Sequence, residues 1–288
     1  MYSILNLLTI LLVFSLQVSI SSSSVVLNYR KNRFLNLGLP GLMYIGALAV
    51  KAAAKVFHVN PYWSLLFCIF FGGLANIIFN SIYSRSNEEE HPYWMTLIAS
   101  VVLYCFLHLS GWKVYSILRE KFTTSWIMSI NLKDYDFILF NTPGVIIVST
   151  AWLLFHTLFH HALRPAIRSD KVPSKWRLLV YFLAGASACS SGALYGIWFN
   201  VGSTSILLLL LVTASSLFAG FRNSTDCITG SFIVTGSMIW LTNHAQSIIG
   251  SWVGEYRFIT PLLFFLVSIP LFPHGVIGST LSFLSYRD

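Results

Sequence analysis

Charge is scarce in this chain. Ten acidic and eighteen basic residues among 288 leave only 10% of positions charged, against about a quarter in soluble domains. That shortage excludes an ordinary soluble globular domain, and the only acidic run is Glu88-Glu89-Glu90. Cysteine is also sparse: Cys68, Cys105, Cys189 and Cys227 show no CxxC spacing, which excludes a zinc ribbon or a thioredoxin-type redox pair. Three of the four lie inside apolar runs, which makes the group read as buried small hydrophobes. No GxSxG, no phosphate-cradling glycine loop and no paired carboxylates within an apolar run are present, so no catalytic residue, cofactor or metal site is expected.

What is abundant is apolar surface. Hydrophobic residues form 56% of the chain and the mean hydropathy is +0.71, the signature of an all-α polytopic membrane protein. The net charge of +8 is spread through the loops. It suits membrane lipids with anionic headgroups, and no basic platform interleaved with aromatics supports nucleic-acid binding.

The apolar runs come in sequence. Tyr2 to Ile20 precedes Ser21-Ser22-Ser23-Ser24 and reads as a signal peptide or a retained signal anchor occupying residues 1–30. A channel-sized membrane unit then covers 34–249, and a C-terminal apolar segment and tail covers 250–288. Spans are expected at Phe34–Val50, Tyr62–Tyr83, Tyr93–Leu118, Phe137–Leu163, Leu178–Val201, Ser203–Phe221 and Ile228–Ile249. Residues 119–136 read as a polar connection lying on the membrane surface. Phe258–Phe272, broken by Pro261 and Pro270, is short enough to be re-entrant or interfacial.

Phe137–Leu163 draws attention because it carries Ser149, Thr150, His156, Thr157, His160 and His161 without a formal charge. Polar groups in hydrocarbon are costly and turn toward a neighbouring helix or a wet cavity. Pro143-Gly144 near its start suggests an entry kink. His156 and His160 are four residues apart and share a helix face, but no carboxylate or cysteine joins them in the span. They read as interhelical hydrogen-bonding or pore-lining groups, with His156 uncharged and bonded to a serine or threonine on a facing helix. His108 could pair with one of the other histidines in a lipid-modifying acyltransferase, but the other polar residues such an enzyme needs are missing. Leu178–Val201 is rich in small residues, and Gly192 with Gly196 forms a GxxxG pair that permits close helix approach. Asn223-Ser224-Thr225 is a glycosylation sequon, with Asn223 the acceptor.

Taken as a series, the spans resemble the trimeric intracellular cation (TRIC) channel family. The resemblance rests on FLNLGLPGLMYIGALAVKAAAKVFHV at Phe34–Val59 running into Asn60-Pro61, then WSLLFCIFFGG, then LIASVVLYCFLHLSGWKVYSIL. It continues through the Pro143 helix to Trp176 and the small-residue run after Gly185. It implies about seven core helices as a 3+3 inverted repeat plus one, with extra apolar segments at both ends. It further implies a homotrimer in the endoplasmic reticulum or another intracellular membrane, each subunit conducting potassium. Pore or gate candidates are then Ser149, Thr150, Trp152, His156, Gly72, Gly73, Gly185 and Gly192, the glycines allowing kinks that turn carbonyls to the pore. Where the family carries Lys-Glu-Val for gating and phosphoinositide contact, this chain has Trp152-Leu153-Leu154. A non-conducting membrane scaffold that kept the fold and lost the charged gate is the alternative. The family orientation puts Asn223 in the lumen.

Overall fold

A computed structural model describes residues 2–32, 34–57, 60, 62–86, 93–126, 134–163, 174–198, 205–221 and 224–271. Among these the chain is helical throughout: α1 (Tyr2–Asn32), α2 (Gly38–Lys55), α3 (Trp63–Ser86), α4 (Tyr93–Trp126), α5 (Asp134–Ala162), α6 (Ser174–Trp198), α7 (Ser205–Ala219), α8 (Ser224–Ile249) and α9 (Ile259–Leu271), with a 3-10 turn at Ser251–Tyr256. Five stretches are long and apolar enough to cross a membrane: Leu7–Asn32, Trp63–Ile82, Leu97–Leu118, Gly144–Ala162 and Lys175–Trp198. The protein is a multi-pass, all-helical membrane protein.

The bundle has inner and outer helices. The α1 and α6 spans are 83% and 78% buried, whereas those of α3, α4 and α5 are 28%, 17% and 28%. α6 packs on α3, α2, α1 and α5, while α1 packs on α8, α6, α7 and α5. α4 lies outside α2, and α9 covers α7 and α8. The outer helices turn large apolar side chains outward, including Phe70 and Ile78 of α3, Phe106 and Leu109 of α4, and Ile147 and Leu158 of α5. Such faces suit lipid tails, where exposure to water would not be tolerated on this scale. Trp63 at the start of α3 and Trp252 in the 3-10 turn after α8 are also exposed, as interfacial anchors require.

The small-residue stripe of α6 explains its central place. A Cβ on Gly192 or Gly196 would meet the α2 backbone at Met43 and Ala47, and one on Gly185 would meet the Gly72 carbonyl of α3. Gly46 of α2 approaches the Cys189 and Ala193 backbone of α6 in the same way. Three helices therefore meet along glycines at backbone-to-backbone distance, gaining dispersion contacts that larger side chains would prevent.

Several expectations shift. α1 holds no glycine or proline, so nothing interrupts it, and it runs unbroken through the serine cluster to Asn32. Ser21 to Ser24 are fully buried within it. Residue 30 is thus no packing boundary, because α1 forms part of the core of the unit that begins at 34. The surface connection expected at 119–136 is shorter: α4 extends to Trp126 and α5 starts at Asp134. Arg, Glu, Lys and aromatic residues there sustain a helix without a glycine or proline to stop it. α5 runs continuously through Pro143-Gly144. The Phe258–Phe272 segment contains α9, with Pro261 in the first turn, where its missing N–H costs nothing. Gly250 takes φ 124°, a left-handed value that lets α8 end and the 3-10 turn begin. Cys105 is exposed on α4, unlike the other three cysteines, which are buried.

Candidate functional site

The polar residues of the interior gather along α1. Ser15, Gln17, Ser19, Ser21 to Ser24 and Asn28 are all fully buried, and Asn32 extends the row. At about 1.5 Å per residue this column is roughly 25 Å long, most of a hydrocarbon core about 30 Å thick. Some serines satisfy themselves on their own helix: Ser19 donates to the Ser15 carbonyl at 2.6 Å, and Ser23 and Ser24 to Ile20 at 2.8 Å. Such back-bonding neutralises a hydroxyl without needing a neighbour.

The remaining groups reach across helices. Gln17 Nε2 donates to Ser149 Oγ of α5 at 3.2 Å. His156 Nδ1 lies 2.9 Å from Ser187 Oγ of α6, and its ring sits against the Ser23 backbone of α1. Ser22 Oγ donates to the Val212 carbonyl of α7 at 3.2 Å, and Ser231 of α8 stands 3.5 Å from Ser22 Oγ. Gln17 Oε1, Ser15 Oγ, Ser21 Oγ, Ser215 Oγ and Thr235 Oγ1 are buried with no hydrogen-bond partner. Buried polar atoms without protein partners usually bond water or a ligand, since leaving them bare is costly.

At the end of the column where α1 stops, five asparagines lock together. Asn32 Nδ2 donates to Asn80 Oδ1 at 2.5 Å and to Asn28 Oδ1 at 3.4 Å. Asn36 Nδ2 donates to Asn76 Oδ1 at 3.1 Å, while Asn36 Oδ1 accepts the Gly38 N–H at 3.0 Å and closes the α1–α2 turn. Asn80 Nδ2 donates to Asn76 Oδ1 at 2.9 Å, and Asn76 Nδ2 to the Tyr181 carbonyl of α6 at 2.7 Å. The Tyr181 hydroxyl completes the ring by donating to Asn32 Oδ1 at 2.6 Å. The signal was in the sequence: asparagines four apart at 28 and 32, and again at 76 and 80, each mark a helix face needing amide partners.

The sequence candidates divide. Ser149 and His156 are buried on one face of α5 and point to α1 and α6. Thr150 is on the outward face. Trp152 packs with Leu16, Ile20, Leu153 and Ile228, and its ring stacks on Phe155 at 5.4 Å. Gly72, Gly185 and Gly192 serve helix contact, and Gly73 faces the Phe182 ring; none of these is a kink that turns carbonyls into a path. His160 is buried on the His156 face, whereas His161 is exposed. His108 lies between Tyr44 and Tyr104, with ring centroids at 4.7 and 6.3 Å, not beside another histidine. Asn223 lies outside the described residues. No group of three potential metal-ligating residues comes together among the described residues.

The interior chemistry is neutral. The buried polar set consists of serines, threonines, asparagines, Gln17, His156 and His160, with no lysine, arginine, aspartate or glutamate among the described residues. His156 and Ser187 have the atoms of a base and a nucleophile, yet Ser187 sits mid-helix, where neighbouring N–H groups are spent in the helix ladder. The pair makes a hydrogen bond between α5 and α6.

No family model matches the chain. It is 23% identical over 276 residues to the probable branched-chain amino acid transport permease protein LivH of Methanocaldococcus jannaschii, covering 88% of this chain and 86% of that protein. Among solved structures it is similar to PsaBC from Streptococcus pneumoniae, determined in complex with Fab, with a TM-score of 0.52 at 17% identity. That likeness covers 98% of this chain and 95% of the other, and at this identity it speaks for the fold. The chain is therefore a multi-pass membrane protein similar over most of its length to a transport permease.

Proposed function

We propose that this protein is a non-enzymatic membrane transporter whose solute path follows the polar column of α1, flanked by α5, α6, α7 and α8. One observation carries the reading: a helix with buried polar side chains along most of a membrane thickness, several with no protein partner. A purely structural helix would place apolar groups there, because bare polar atoms in a dry interior cost several kcal/mol each, about 1–3 by mutational measure. A solute with its own hydrogen-bonding groups supplies the missing partners in passage. The similarity to a branched-chain amino acid permease supports small amino acids as the first solutes to test.

A potassium channel in an intracellular membrane, homotrimeric and bound to phosphoinositides, is the narrower reading and rests on the TRIC resemblance alone. One experiment separates the readings. Purified protein in liposomes is assayed for uptake of labelled leucine, isoleucine and valine, and in parallel for potassium flux under a diffusion potential. Amino-acid uptake that is lost in Gln17→Leu supports the permease reading. Potassium flux without amino-acid uptake replaces it with the channel, and no flux of either replaces it with the scaffold.

A further inference from the structure

The asparagine ring stands where the polar column ends, and its make-up is unusual for a fixed structural contact. It joins three elements that are distant in sequence: the end of α1 through Asn28 and Asn32, the second half of α3 through Asn76 and Asn80, and the start of α6 through Tyr181. Asn36 ties in the α1–α2 turn. Asn28, Asn36, Asn76 and Asn80 are buried to 2% exposure or less. Every one of these bonds is between neutral groups, and each amide can trade its partner for water or for another amide at little net cost.

The glycine contacts nearer the bundle centre behave differently. At Gly72–Gly185 and Gly192–Met43 the backbones touch, so α3, α6 and α2 cannot slide there without breaking dense packing. Gly185 also abuts the Asn76 side chain, so α3 and α6 stay together at the ring, and the end of α1, bonded there through Asn32 to Asn80 and Tyr181, can part from both. Asn28, the ring member nearest the serines in sequence, keeps a buried Nδ2 without a partner.

We propose that the ring of Asn28, Asn32, Asn36, Asn76, Asn80 and Tyr181 is a gate that closes one end of the α1 column and opens by exchange of its amide hydrogen bonds. The inference rests on the transport reading above and adds the place where passage is controlled. The closed form is the arrangement described here. In the open form the Asn32–Asn80 and Tyr181–Asn32 bonds give way to water or solute, and the end of α1 moves from α3 and α6 while the glycine crossings hold.

The test needs no knowledge of the solute. A Ser24→Cys reporter, one turn inside the ring, is placed in full-length protein carrying Cys105→Ser and reconstituted in liposomes. A small membrane-impermeant thiol reagent is applied to one face at a time, and the modification rate is followed by mass shift. Tyr181→Phe removes one bond of the ring and keeps its bulk; a loss of that size corresponds to about a fivefold change in population. Modification from the ring end is expected about fivefold faster in Tyr181→Phe and at least tenfold faster in Asn76→Ala, with the rate from the opposite face unchanged. Tyr181→Phe covers the case in which Asn76→Ala does not fold, and melting temperature is recorded for both. A lowered melting temperature with unchanged rates makes the ring a structural clamp and overturns the gate. Equal acceleration from both faces overturns it too, since the loosening is then general. If Ser24→Cys is unmodified from either face in every variant, the column is dry and the transport reading falls with the gate.

Discussion

Among the described glycines, Gly192 leaves the least room for a side chain. A Cβ built there would run into the Met43 carbonyl oxygen and lie 2.5 Å from the carbonyl carbon and 2.8 Å from the Cα, where ordinary contact begins at 3.4 Å. The nearest atoms are main chain, so no rotamer change relieves the clash, and α2 must retreat from α6 even for alanine. Overpacking of this kind costs about 1–3 kcal/mol, and leucine adds three more carbons to the same gap. Gly73 is less constrained, because its obstacle is the Phe182 ring, which can turn. Gly254 is least constrained: a Cβ there meets the end of the flexible Gln246 side chain. Thermal denaturation of the purified protein in detergent should rank the leucine variants Gly192 worst, then Gly73, then Gly254 near the parent. Equal melting temperatures for Gly192→Leu and Gly254→Leu would show that α2 and α6 do not meet at backbone distance.

Other outcomes follow from the same structure. Ser187→Ala should weaken the α5–α6 junction by about 1 kcal/mol by removing the partner of His156, whereas Thr150→Ala on the outward face of α5 should leave the melting temperature unchanged; reversed effects would misplace the buried face. A membrane-permeant maleimide should label Cys105 in the folded protein and leave Cys68, Cys189 and Cys227 unlabelled until denaturation; labelling of any buried cysteine under native conditions contradicts the packing. The mature protein should retain α1, so peptide mapping should recover residues before 20 in a fragment ending at Arg30; a purified, folded protein lacking them would remove the central helix from the account. Arg30, Lys31, Lys175 and Arg177 flank the ends of α1 and α6 that meet at the asparagine ring. By the positive-inside tendency that end is expected on the cytosolic side, and Tyr29 near it stacks on Phe221, two residues before Asn223 in sequence. No glycosidase-sensitive mass should then be lost in Asn223→Gln, contrary to the lumenal position the family orientation implies.

The apolar spans were legible because membrane crossing imposes a length and a composition that few other folds share. The Gly192/Gly196 contact was legible for a related reason, since close backbone approach admits almost nothing but glycine. The glycines at 72, 73 and 185 were not, because a kink and a tight crossing both call for the same residue and only the partner helix decides. α1 was obscured by a genuine degeneracy: an apolar stretch followed by serines describes a signal segment as well as a central helix. Only the burial of Ser21 to Ser24 against α5, α7 and α8 distinguishes them. The asparagine ladder was present at i, i+4 spacing, but its two halves lie forty or more residues apart, as in the pairs Asn36–Asn76 and Asn32–Asn80, and pairing them needs the fold.

The central claim is that the α1 column is a wet path and not a dry polar core. Its most direct measurement is the reactivity of a Ser21→Cys protein, otherwise parental with Cys105→Ser, toward small water-soluble thiol reagents in intact liposomes. Ser21 is fully buried and its hydroxyl has no partner. The introduced thiol is expected to react from at least one face, and its reaction to block solute uptake. A thiol that stays unmodified from both faces while uptake continues at the parental rate would show that solute passes elsewhere.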